Sequence, residues 1–213
     1  GVYPLRDPAS PRDGDFSVPH SLAGVSKMTY TRSHSRMPEA SVLNLKNCSY
    51  RITADITVPD VGATGVIACQ GGNMAGWSLY LDDETRPIFH YNWYGHIHTA
   101  IVASQPLPAG KHLLEVIFDY DGGFGAGGLF SLLVDTQLAT MGRIEQTVPL
   151  VFSMSGETFD VGVDTGSPVG PYPHQFPCTA TIKGVTLERL DELGAETEKL
   201  VRQGMFKASL SSQ

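Results

Sequence analysis

Three features of the sequence predict an all-β chain folded as a two-sheet antiparallel sandwich. His112 to Asp135 (HLLEVIFDYDGGFGAGGLFSLLVD) places two apolar runs on either side of a run of glycines, the layout of two strands joined by a flexible turn. Tyr50, Ile52, Ala54, Ile56 and Val58 alternate with Arg51, Thr53, Asp55 and Thr57, the two-residue period of a strand with one dry and one wet face. The 23 glycines and 14 prolines, against a charged share of only 17%, suit short strands and tight turns rather than long surface helices. A chain of 213 residues fits one domain, with or without an appendage, and can bury roughly 70% of its unfolded surface.

The elements follow in order. Residues 1–40 carry Pro4, Pro8, Pro11, Pro19 and Pro38 without an apolar period and read as an extended lead-in. The sandwich is expected over residues 41–190. Its first strand, Tyr50 to Val58, is ended by Pro59 and Gly62. Gly65 to Cys69 (GVIAC) is apolar on both faces, as a central strand requires, and Gly71-Gly72 turn the chain. Trp77 to Leu81 and Pro87 to Trp93 flank Asp82-Asp83-Glu84 as a hairpin, and His98 to Ala103 leads to the turn at Pro106 to Gly110. The glycine hairpin comes next, with strands at Leu113 to Phe118 and Leu129 to Val134. Asp135-Thr136-Gln137 then turn into Leu138 to Ile144. Shorter strands are expected at Leu150 to Met154 and Phe159 to Val163, and the last at Cys178 to Leu187, after a loop rich in turn formers. The regular spacing is that of a sandwich or jelly roll. From Leu190 the period changes. Leu190, Leu193, Thr197, Leu200, Val201 and Met205 recur at three and four, which predicts one amphipathic C-terminal helix over residues 191–213. It would lie on the sandwich or make a contact in a homo-oligomer.

Charge narrows the partners. A net charge of -7 and a pI near 5.4 leave no basic face for nucleic acid or an anionic membrane surface. No run of eighteen apolar residues exists to span a bilayer as a helix. Cys48, Cys69 and Cys178 lie far apart without a C-x-x-C spacing and are expected as buried free thiols. Asn47-Cys48-Ser49 spells a glycosylation sequon, relevant only in a eukaryotic secretory setting. The opening GVYPLRDPASPRDGDF has none of the regions of a signal peptide and reads as a cut, either the processed start of a secreted chain or part of a longer one.

Gly123 to Gly128 satisfies the letters G-x-G-x-x-G, but a strand follows where a phosphate-binding turn needs a helix. Ser78, Ser131 and Ser153 lack the G-x-S-x-G context of a serine hydrolase. Asp119, Asp121, Asp160 and Asp164 invite a calcium or glycosidase reading. As neighbours on one strand, however, Asp160 and Asp164 would stand roughly 13 Å apart, too far for short side chains to converge. His90, His96 and His98 cluster without a further residue spaced to complete a four-ligand metal set. No catalytic or metal-binding residue is therefore assigned. The segment from His90 to His96 interleaves rings with amide and imidazole donors, a mixture that can pack against a neighbouring domain or bind a sugar or an aryl ring; for the latter, Asn92, Trp93, Tyr94 and His96 are the candidate residues.

Several ordered phrases resemble the C-terminal region of large microbial arylsulfatases: Asn47-Cys48-Ser49-Tyr50 leading into ITADITVP, then GVIACQGGNMAGWSLYL, LPAGKHLLEVIFDYDGGFGAGG, GRIEQTVPLVFS and ETFDVGVDTGSPV. The resemblance spans about residues 28 to 190. It implies a concanavalin A-like or laminin G-like sandwich that follows a sulfatase catalytic domain in the same polypeptide, in the cytoplasm or periplasm of a microbe. The sulfuric ester hydrolase chemistry, with its formylglycine and calcium, would reside in that domain. None of the three cysteines, and no serine here, opens a C/S-x-P-x-R motif, so this chain is expected to hydrolyse no aryl sulfate and to hold no cofactor itself. The expectation is a non-catalytic domain that supports or shapes the catalytic one. The alternative is a free-standing carbohydrate-binding, lectin-like module.

Overall fold

The computed structural model describes residue 22, residues 24–153 and residues 156–190. Eleven strands in that range form two antiparallel sheets. The larger joins β1 (Lys27–Tyr30), β11 (Thr181–Leu190), β2 (Ser49–Val58), β7 (Gly110–Tyr120), β8 (Ala126–Val134) and β9 (Gln137–Gln146), in that spatial order. The smaller joins β10 (Phe159–Val161), β3 (Gly65–Gly71), β4 (Gly76–Leu81), β5 (Pro87–Trp93) and β6 (Ile97–Val102). The all-β jelly-roll sandwich expected from the sequence is present, and the helix predicted over 191–213 lies outside the described residues.

Alternation sets the core. On β2, Tyr50, Ile52, Ala54, Ile56 and Val58 are buried, and their neighbours in sequence are partly exposed. They meet an aromatic row from both sheets, in which Phe118 stacks on Phe130 at 4.2 Å between ring centroids, Phe130 on Phe89 at 4.7 Å and Phe89 on Trp77 at 6.2 Å. Offset ring pairs of this kind each contribute about 1 kcal/mol beyond the apolar area they bury. Close sheet contact demands small residues in places. A Cβ at Gly128 would collide with the Asp119 carbonyl and the Phe118 ring.

The smaller sheet is buried on both faces. Ile67, Trp77, Leu79 and Phe89 face the inter-sheet core, whereas Val66, Cys69, Tyr80 and Ile88 face a second cluster with Val169 and Tyr172. That second cluster exists because residues 162–178 run as a strap across the outer face. The strap is pinned by Gly162 N–H to the Ile67 carbonyl (2.9 Å), Val66 N–H to the Phe176 carbonyl (3.0 Å) and Cys178 N–H to the Gly162 carbonyl (2.8 Å).

Three expectations change. The lead-in contains β1, which pairs with β11 and delivers a fully buried Tyr30, so the folded unit begins before residue 41. Within the described part of 150–154 no strand forms: the Phe152 and Ser153 amides donate to the Glu39 carboxylate (3.0 and 2.9 Å) rather than to a neighbouring strand. Cys69 and Cys178 are buried thiols as expected, but Cys48 is only partly buried.

Candidate functional site

The candidate residues surround the β5–β6 turn. Tyr94 and Gly95 both take positive φ (52° and 66°), and the His96 amide donates to the Trp93 carbonyl at 3.0 Å. This is the primed hairpin turn that suits the twist of its strands. The Trp93 and Tyr94 rings meet edge to face at 5.3 Å, and His96 lies 6.5 Å from Trp93. Trp93 and Tyr94 are half-buried and His96 is exposed, so these three can reach a ligand. Asn92 cannot. Its side chain is fully buried; Nδ2 donates to the carbonyls of Gly72 (2.9 Å) and Asn73 (3.0 Å), and Oδ1 accepts from the Gly95 amide (2.8 Å). Asn92 ties the β3–β4 turn to the β5–β6 turn and is removed from the contact set.

Beside this turn, where edge strand β6 faces edge strand β9, a shallow cleft of about 90 Å³ is walled by Trp93, Ile97 and Thr99 from one strand and Ile144, Glu145 and Gln146 from the other. Tyr91 lies beneath, its hydroxyl fixed by the Val148 amide (2.9 Å). Ile97 leaves 45% of its surface to solvent. Arg143 borders the cleft, exposed but paired with two carboxylates: Nε donates to Glu145 (3.3 Å), and both terminal nitrogens donate to the Asp121 carboxylate. Those hydrogen bonds, to Asp121 first and Glu145 second, push its already high pKa higher.

Neighbouring loops join the same end of the sandwich. The Asn47 side chain donates to the Pro149 carbonyl (2.8 Å) and accepts from the Gly125 amide (2.9 Å), which anchors the glycine hairpin. That Nδ2 is therefore held in a loop contact at the sequon. The Gly71 amide donates to the Thr158 carbonyl (3.1 Å). Met74, Phe124, Leu150 and Val151 are exposed on these loops, 43%, 71%, 64% and 46% respectively.

A second polar group lies beneath the strap. The Asp160 carboxylate accepts from the Arg36 amide (2.6 Å) and from the hydroxyls of Thr158 (2.8 Å) and Thr165 (3.0 Å). Asp164 accepts from the amides of Gly166 and Val169 (3.2 Å each) and from the Tyr172 hydroxyl (2.8 Å). Gly162, at φ 88°, breaks the strand between the two aspartates, so they converge rather than standing apart as predicted for neighbours on one strand. With Cys69 they form the one trio of His, Cys, Asp or Glu ligand atoms among the described residues close enough to share an ion, all within 4.8 Å. Burial pushes the Cys69 thiol well up and raises the Asp164 carboxyl. Since each carboxylate oxygen already accepts from a protein donor, the trio acts as a clasp that pins the strap. Asp119 and Asp121 sit elsewhere, on β7 and its turn, so the four aspartates do not form one site.

His90 and His98 share a 2.9 Å Nε2–Nδ1 contact. Burial, then the neighbouring His98, lowers the His90 pKa to about 4, so its ring is neutral and structural. Ile97, Thr99, Glu145 and Gln146 escaped the sequence reading because β6 and β9 are far apart in the chain and meet only across the sandwich edge.

These features define a jelly-roll sandwich module with an aromatic-walled cleft at one edge. No family model and no curated protein matches the sequence. Among solved structures, the chain is similar to the CBM40 module of the Ruminococcus gnavus IT-sialidase bound to α2,3-sialyllactose, at a TM-score of 0.52 and 13% identity over 84% of this chain and 92% of that one. The same module bound to α2,6-sialyllactose gives a TM-score of 0.52 and 13% identity over 81% and 90%. Likeness at this identity establishes the shared fold.

Proposed function

We propose that this chain is a carbohydrate-binding module whose ligand sits in the cleft between β6 and β9. The observation that carries this reading is the placement of Trp93 as a half-buried wall opposite the polar ends of Glu145 and Gln146. A sugar ring needs this pairing, since its C–H face stacks on an aromatic surface and its hydroxyls need donors and acceptors at the rim. Support comes from the fold it shares with a module captured on sialyllactose. A glycan array followed by titration calorimetry on the whole chain tests the reading. Binding should appear, and Trp93→Ala should weaken it about tenfold or more. An array without signal above background rejects it.

A second reading is favoured by Met74, Phe124, Leu150 and Val151, exposed apolar residues on loops at the same end. They suit a protein surface such as the catalytic domain that the arylsulfatase resemblance implies. If that domain docks there in cis, Met74 should be shielded from oxidation in the longer polypeptide; equal oxidation with and without the domain rejects the contact.

A further inference from the structure

Resting on the reading of the cleft as a sugar site, we infer that it takes neutral, hydroxyl-rich pyranose residues and rejects sugars that carry a carboxylate. A ligand carboxylate is bound most strongly by a cation with free donors, above all an arginine fork able to donate two parallel N–H bonds. Arg143 is the one arginine or lysine bordering the cleft, and three of its five N–H donors are engaged: Nε by Glu145, one on each terminal nitrogen by Asp121, so its charge is already matched by two carboxylates. One cation held by two carboxylates leaves this triad with a formal charge of -1.

The remaining polar lining points the same way. Thr99, Gln146 and the second oxygen of Glu145 accept hydrogen bonds from hydroxyls, the groups a neutral pyranose presents around its rim. An anionic sugar would bring a carboxylate toward Glu145 and Asp121 without a counter-charge, and would approach a chain whose net charge is -7. The cleft is shallow, about 90 Å³, so a ligand would be held by one face and keep much of its rim in solvent. The similar module was captured with sialyllactose, which ends in an acidic sugar. The local charge of this cleft therefore sets it apart from that ligand class even though the sandwich is alike.

The test uses the full 213-residue chain and matched pairs of probes: methyl glucoside with glucuronic acid, methyl galactoside with galacturonic acid, and N-acetylneuraminic acid alone, each titrated at pH 7 and low salt. The neutral member of at least one pair should bind about tenfold or more tightly than its acid, and Trp93→Ala should abolish the difference by weakening the neutral sugar. Asp121→Asn, which frees one donor edge of Arg143, should narrow the gap to within a few-fold by strengthening the acid. Acids that bind as well as their neutral partners, with the same dependence on Trp93, overturn the neutral preference and leave the cleft as a sugar site. Absence of binding by every probe, together with a blank array, overturns both.

Discussion

The strap-covered face of the smaller sheet and the cleft at its β6 edge draw on the same kinds of residue and put them to opposite uses. Where the strap meets the sheet, Asp160, Asp164, His90 and Tyr172 are buried, and both carboxylates are fully engaged by protein donors. At the edge, Trp93, Ile97, Glu145 and Gln146 keep contact with solvent, and the cleft beside them stays open. In the first region, hydrogen-bonded polar groups stabilise the fold; in the second, polar groups stay open to solvent, where a ligand could reach them. The outer face of the smaller sheet is here sealed by the chain's own residues 162–178, which leaves the rim cleft as the proposed site.

The contrast predicts that substitutions beneath the strap act on stability and those at the edge act on binding. Asp164→Ala should give the largest effect, about 4 kcal/mol lost in urea denaturation, because the Tyr172 hydroxyl and the amides of Gly166 and Val169 lose their acceptor together. A loss below about 1 kcal/mol would show that the strap is not held by this clasp. Asn92→Ala should cost about 3 kcal/mol, since one buried amide serves three backbone groups of two turns. It tests the border between the regions: although it belonged to the predicted binding set, Asn92 should affect sugar affinity only through the position of the turn.

Acid sharpens the comparison further. The His90 pKa of about 4 lies below the ordinary 6.5, so the unfolded chain takes up the proton first. Its contribution is fully present above about pH 6.5 and is lost as pH falls from 6.5 towards 4, amounting to about 2 kcal/mol between pH 7 and pH 5. The raised Asp164 carboxyl acts in the opposite sense, because its burial penalty is relieved as it protonates, and this offsets part of the loss. Urea midpoints at the two pH values should differ for the natural chain and flatten in His90→Leu; equal slopes would assign the acid sensitivity elsewhere. The smallest stability effects belong to the cleft. Ile97→Ser and Glu145→Gln should each stay within about 0.5 kcal/mol in thermal denaturation while changing sugar affinity. Marked destabilisation by either would mean that the cleft is structural packing.

Much of the fold was legible in the residues. The alternation from Tyr50 to Val58 and the runs flanking the glycines from Gly122 to Gly128 gave the strands, because a two-residue period records burial directly. Trp93, Tyr94 and His96 lie together as their nearness in sequence implied, because a tight turn holds them. Asn92 was misjudged because an amide beside two rings has the same letters whether it faces a ligand or staples two turns. The β1 strand was hidden because Lys27 to Tyr30 alternates too briefly to rise above its proline-rich surroundings.

What the sequence determined by itself is the local part: most of the strands and where they turn, since each depends on neighbours within a few residues. Only the tertiary structure decided that residues 162–178 seal one face, that Asp160 and Asp164 converge on Cys69, and that Trp93 faces Glu145 and Gln146 some fifty residues away across the sandwich edge. The physical reason is that these contacts depend on how two sheets stack and which edges are left unpaired. A pattern of period two fixes the faces of a strand but leaves open what will lie against them.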